Sequence, residues 1–342
     1  MSDPAIRAAS VSASASMSAS TATSASASAP PVPAAQGARA PWTAIPPRLR
    51  ERVAAIAGGG EVVQTVSQPG GFSPGPAVRL RTSTGHRAFV KAVSAELNPD
   101  SPAMHRREAL YAAGMPPHAP VPKLLGSLDE DGWVVLVFEE IDGRNPDPDW
   151  HPDELARAVA ALAELAAALD PAPMAAPSAA DRLRQGIGAW ERLRADGDLD
   201  RLDPWARERL DTLVALEEKA PDLCTGTALV NLDVRADNIL MTPDRVYIVD
   251  WPWAAVGAPW LDLALLAPSV WMYGGRDRAR IVTEHPLLAA ADPEAVTAFA
   301  ARFGGMLLEA STKPPPQGIP TLRPFQRAYG TAFLEWFRSR ME

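Results

Sequence analysis

The chain has 342 residues, of which 47% are hydrophobic and 22% charged, with a formal net charge of −8. That length holds one large or two ordinary domains, the apolar share supports a real core, and no apolar run reaches the length of a membrane span. The acidic balance argues against a nucleic-acid or membrane partner and suits a neutral or cationic one, and the single cysteine, Cys224, excludes an internal disulfide and fits a reducing, cytoplasmic compartment.

Residues 1–40 are a different material. Ala and Ser fill 20 of the first 30 positions, with few charges and no large apolar cluster. Such a segment cannot bury enough surface to offset its ordering entropy and is expected to be disordered. It lacks the basic start and continuous apolar stretch of a secretory signal.

From Glu61 to Ser94, short apolar runs alternate with turn residues. Val62-Val63, Ala77–Leu80 and Ala88–Ala92 predict three antiparallel strands. The loop between the first two carries Gly70, Gly71 and Gly75, which let backbone approach a ligand closely, and Ser73 adds a hydroxyl donor. Within the third strand stands Lys91. The chain has 33 basic residues but only four lysines, so a lysine inside an apolar strand points to a need for a compact ammonium, as at nucleotide phosphates. Arg106–Tyr111 reads as a helix whose Glu108 can pair with Lys91. Gly132–Glu140 is a strongly apolar strand ending in acids. Helices are predicted over Pro152–Leu169, Ala179–Ala195, Pro204–Lys219 and Pro293–Leu308.

The most informative stretch lies between Leu229 and Ala264. Ile239–Met241 and Val246–Val249 flank the turn signal Thr242-Pro-Asp-Arg and predict a hairpin, which brings Asn238 and Asp250 to the open ends of paired strands. Two side-chain oxygens there can grip Mg²⁺, a hard cation that keeps the rest of its shell for water or phosphate. Asp233, on the same loop, can reach a hydroxyl beside that metal and accept its proton. Singly, each of these residues reads as a turn or cap residue; the specific signal is their combination. Arg235 can add positive charge near a transferred phosphoryl group, or lie on the surface. The cluster Trp251, Trp253, Trp260 and Trp271 can wall an acceptor site or belong to the core.

The spacing of Asp233, Asn238, Asp250, Gly257 and the Trp260-Leu-Asp-Leu-Ala264 tail resembles the aminoglycoside phosphotransferase-like family, small-molecule kinases of the protein-kinase-like superfamily. The resemblance implies an α+β, two-lobed fold. Its small antiparallel-sheet N-lobe would span 41–140 and bind nucleotide; its mainly helical C-lobe, 141–342, would carry catalysis and the acceptor. It implies Asp233 as base, Asn238 and Asp250 as Mg²⁺ ligands, and Lys91, held by Glu108, on the phosphates of ATP or GTP. It also implies backbone contacts to adenine from about Glu139 to Ile141, and Asp262 bonded to backbone amides of the catalytic loop. The acceptor would be a hydroxyl of a small molecule, antibiotic or metabolite. The absence of a dense acidic comb tilts it away from a polycation. One departure stands out: the family usually has His two residues before the catalytic Asp, and here that position is Asn231. Asn keeps hydrogen-bonding capacity and can brace the loop, so a working site is expected. The alternative is a nucleotide-binding pseudokinase with a regulatory role.

Overall fold

A computed structural model of the chain describes residues 39–147, 149–197 and 203–342. The Ala/Ser-rich segment through residue 38 lies outside them. Five strands, β1 (Val62–Ser67), β2 (Ala77–Thr82), β3 (Arg87–Ser94), β4 (Leu124–Glu130) and β5 (Trp133–Glu139), form one antiparallel sheet in the order β1-β2-β3-β5-β4. Two helices flank it, α1 (Pro47–Ile56) and α2 (Ser101–Ala113).

The two-residue period of a strand decides what each face of this sheet does. Ala88, Val90 and Ala92 of β3 and Val135 and Val137 of β5 are buried against Ile45, Leu49 and Val53, the last two from α1. The alternate residues point the other way. In register, Phe89 faces Phe138 and Lys91 faces Leu136. On that face Val134, Leu136 and Phe138 pack with Ala112 of α2. Lys91 is therefore committed to the α2 side by the same alternation that buries its neighbours.

A short connector from β5 leads into a larger, mostly helical lobe. Its main helices are α3 (Pro152–Ala168), α4 (Ala179–Arg184), α5 (Ala189–Ala195), α6 (Pro204–Glu208), α7 (Leu210–Leu223), α8 (Leu261–Thr283), α9 (Pro286–Ala289), α10 (Pro293–Ser311) and α11 (Leu322–Met341). Two predicted helices are each broken. Gly186 and Gly188 adopt positive φ between α4 and α5, a conformation open to glycine and strained for most other residues. Arg209 leaves helical geometry between α6 and α7. The core of this lobe includes Trp190, whose indole N–H donates to Ala301 O at 3.0 Å, and fully buried Phe299, Phe333 and Phe337. Truncating such a phenylalanine to alanine costs about 3–5 kcal/mol.

Two short hairpin-like pairs carry the functional loops. β6 (Ala228–Val230) pairs with β9 (Ala255–Gly257), and β7 (Ile239–Met241) pairs with β8 (Val246–Ile248). The second is the predicted hairpin. Its turn is closed by Thr242, whose Oγ1 accepts the Arg245 N–H at 2.9 Å.

The α10–α11 connection reaches back to the sheet lobe. Asn98 Nδ2 donates to Gln317 O at 3.2 Å, and Gly318 lies so close to Pro74 that a Cβ there would meet the proline ring at 2.8 Å. Phe72, from the glycine-rich β1–β2 loop, packs edge-on against Phe325 of α11 with ring centroids 5.1 Å apart.

Candidate active site

A cavity of about 410 Å³ lies between the sheet and the loops of the helical lobe. Phe89, Ala77, Val121 and Phe138 line it from one side, and Leu240 and Val249 from the other, giving an apolar slot of the kind a flat heteroaromatic ring fills. Glu139 and Ile141 line its edge. Glu139 is tied to Lys123 twice, through its backbone N–H and through Oε1. Among the described residues no backbone hydrogen bond uses the N–H or carbonyl of Ile141, so both remain available to a ligand.

At the polar end, Lys91 Nζ donates to Glu108 Oε1 at 2.8 Å and to Asp250 Oδ1 at 3.0 Å. Burial alone would lower the lysine, but the two carboxylates outweigh it and hold Lys91 above its ordinary value. Burial raises Glu108 to about 7 against the pull of Lys91. Asp250 feels the same burial, but Lys91 overcomes it and keeps that carboxyl below the usual range. Asp250 holds φ at +66, one of four non-glycine residues with positive φ among those described, and aspartate is among the few side chains that tolerate it.

A lattice of hydrogen bonds fixes that unusual backbone. Asn231, fully buried, donates from Nδ2 to Asp250 O at 2.8 Å and accepts the Asp233 N–H on Oδ1 at 2.9 Å. Asp262, at the start of α8, accepts the N–H groups of Asn231 and Leu232 at 2.9 and 3.0 Å. Leu232 itself has φ +59, so Asp262 clamps the second strained position of the loop. Burial lifts Asp262 to about 6, with the two amides opposing.

Asp233 lies beside this lattice. Asn238 Nδ2 donates to its backbone O at 2.8 Å and to its Oδ2 at 3.2 Å, and Arg235 donates to its Oδ1. Burial pushes Asp233 up to about 7, with Arg235 pulling down and Asp250 and Asp237 adding to the rise. Arg235 also forms a two-pronged pair with Asp237 and stands over the rings of Phe72 and Phe325. Its charge is thus engaged with the two aspartates of its own loop.

Asn238 and Asp250 both line the cavity. Asn238 commits its amide N–H group to Asp233, which leaves its carbonyl oxygen with acceptor capacity; Asp250 has one carboxylate oxygen outside the Lys91 bond. These are hard oxygen donors, and no group of three or more His, Cys, Asp or Glu suited to a metal occurs among the described residues. Such a pair fits Mg²⁺, which takes one or two protein oxygens and completes its shell from phosphates and water.

Gly70 and Gly71 line the cavity. Ser73 does not, and its hydroxyl accepts the Gly75 N–H at 3.4 Å within its own loop. Gly75 has a packing reason: a Cβ there would lie 1.8 Å from Ala92 O on β3. Trp251 and Trp260 are buried in the core, Trp251 also lining the cavity; Trp271 packs half-buried against that core, and Trp253 is exposed between Arg107 and Arg182.

Sequence reasoning missed Arg39 and Asn145. Asn145, in the connector, donates from Nδ2 to Asp237 O at 3.0 Å and to Ile239 O at 2.9 Å, bracing the loop that carries Asp233 and Asn238. Nothing in either residue's own neighbourhood signals a partner so far along the chain.

No curated protein matches the chain. Among solved structures, an apo thermostable mutant of aminoglycoside phosphotransferase APH(4)-Ia shares the fold at TM-score 0.56 and 17% identity, covering 84% of this chain and 98% of that one. The same enzyme in ternary complex with ADP and hygromycin B gives 0.55 and 16%, with coverage of 85% and 98%. A choline/ethanolamine kinase family protein from Mesorhizobium loti gives 0.52 and 16%, with coverage of 86% and 94%. The model of the phosphotransferase enzyme family matches residues 68–328, a span that contains every element of the site from Gly70 to Asp262. The chain belongs to that family.

Proposed function

We propose that this protein transfers the γ-phosphoryl group of Mg-ATP, or GTP, to a hydroxyl of a small molecule, with Asp233 as the general base. The observation that carries this reading is the convergence of Lys91, Asn238 and Asp250 on one cavity, with Asp233 bonded to Asn238 beside it. Phosphoryl transfer asks for charge neutralisation, alignment and an activated acceptor more than for covalent chemistry.

Lys91 neutralises phosphate charge and is aimed by Glu108. Asn238 and Asp250 would hold the Mg²⁺, which supplies charge neutralisation at the phosphates. The apolar slot takes the base, and the free backbone groups of Ile141 meet its edge. Asp233, with a pKa lifted to about 7, is suited to accept a hydroxyl proton near neutral pH. The ADP and hygromycin B held by a fold neighbour support a nucleotide donor and a small-molecule acceptor. Here Arg235 offsets the charge of Asp233 and Asp237, and Phe72 and Phe325 stand beside it, which favours an acceptor less cationic than an aminoglycoside.

A nucleotide-binding pseudokinase is the second reading, and Asn231 in place of the usual His motivates it. The two bonds that Asn231 makes within the loop favour the enzyme. Screening hydroxylated compounds for Mg-dependent ATP consumption decides between them: turnover lost in Asp233→Asn supports the kinase. Tight nucleotide binding without consumption across the screen supports the pseudokinase.

A further inference from the structure

Three cationic side chains line the cavity, Lys91, Arg79 and Arg39. Lys91 is paired with Glu108 and Asp250, and Arg79 lies near Glu140 and Asp142. Arg39 pairs with no carboxylate among the described residues. Its guanidinium donates to two backbone carbonyls of the glycine-rich loop, Gly75 O at 3.3 Å and Gly70 O, and its buried Nε has no partner. A part-buried guanidinium whose hydrogen bonds all go to neutral carbonyls keeps its positive charge without a directly paired carboxylate in the cleft.

The chain is built to hold it there. Ala40 N–H donates to Pro74 O at 2.8 Å, which pins the backbone to the loop. Trp42 and Ile45, a few residues on, are buried behind the sheet. On the other side, Gly71 takes φ +87, and a Cβ at that position would come within 2.9 Å of Arg39 Nη2, so the glycine gives the guanidinium its room. Arg39 lines the same cavity as Asp250, whose negative charge favours its protonated form.

We infer that Arg39, contributed by the segment ahead of the family-matched span 68–328, is a phosphate-binding residue that neutralises the polyphosphate of the nucleotide from beneath the glycine-rich loop. The inference rests on the nucleotide reading given above. Guanidinium suits this task because its planar fork donates in parallel to phosphate oxygens.

The test uses the full-length chain and measures dissociation constants for ATP and for adenosine in Mg²⁺ buffer. Arg39→Gln keeps an amide able to donate to a loop carbonyl while removing the charge. It is expected to weaken ATP about 10–100-fold and leave adenosine unchanged, with Arg39→Lys intermediate. Wild-type ATP affinity in Arg39→Gln would overturn the inference, as would an equal loss for adenosine, which would mark a loop brace. Tighter ATP binding would also overturn it, by marking Arg39 as a plug. A wild-type protein that binds neither ligand would instead remove the nucleotide reading itself.

Discussion

Lys91 lies 2.8 Å from Glu108 and 3.0 Å from Asp250, so one ammonium joins the central strand of the sheet, the helix behind it and the loop after β8. This three-point contact fixes the polar end of the cavity. Lys91→Ala removes the cation and leaves two carboxylates facing one cleft. Turnover should fall by at least two orders of magnitude, and the fold should lose about 1–3 kcal/mol, less than for a fully buried pair because a third of the Asp250 side chain is exposed. Parallel ATPase assays and denaturant titrations check this. Near-normal turnover would refute the role of Lys91.

Asp250 offers a clean test of the proposed metal site, because its backbone sits at φ +66. Alanine there adds strain of its own, whereas asparagine tolerates the left-handed region about as well as aspartate. Asp250→Asn loses the ion pair with Lys91 but adds no backbone strain, so its melting temperature should fall less than that of Asp250→Ala while Mg-dependent turnover is lost. Retention of full activity would remove Asp250 from the metal site.

With Asp233 as the proposed base, Asp233→Asn should lower turnover about 10²–10⁴-fold while preserving ATP affinity, since in that role the side chain would meet the acceptor and not the nucleotide. Below pH about 7 the wild-type carboxyl is protonated and cannot accept a second proton, so kcat should decline on the acid side with a midpoint near that value. The residual rate of the variant should lack this limb. The stability sign is opposite. A folded pKa raised above the unfolded one gives stability that is present at low pH and lost as pH rises through 7. Asp233→Asn should then be at least as stable as wild type at pH 8, as calorimetry can show.

Asn231 bridges Asp233 and Asp250 through one amide. Asn231→Ala should cost about 1–3 kcal/mol by leaving buried backbone groups unpaired, and should lower kcat more than nucleotide affinity. Asn231→His should be tolerated or mildly activating, because an imidazole can still donate to Asp250 O. Loss of turnover in the histidine variant with none in the alanine variant would contradict the bracing role.

The sequence made these positions readable where the geometry is local or periodic. Lys91 faces α2 because alternation along an apolar strand leaves it no other side. Asp233, Asn238 and Asp250 converge because a three-residue hairpin, Ile239–Met241 with Val246–Ile248, returns the chain to its starting point. What could not be read was set by distant contacts. Arg39 and Asn145 acquire their roles from carbonyls that only the finished fold delivers. The helix α8 is buried nearly all round over Leu261–Val270, so it lacks the apolar-polar rhythm by which a surface helix announces itself. The break between α4 and α5 rests on the positive φ of Gly186 and Gly188, two poor helix formers inside the span where one continuous helix, Ala179–Ala195, is expected.

The tie between Asn98 and Gln317 has a mechanical consequence. With Pro74 resting on Gly318, this contact adds to the connector after β5, the Lys91–Asp250 pair and the Phe72–Phe325 contact as a tie between the lobes. These ties lie at different places around the cavity, so no single hinge accounts for them, and prying the sheet from the helices would break contacts at Lys91, Phe72 and Asn98 together.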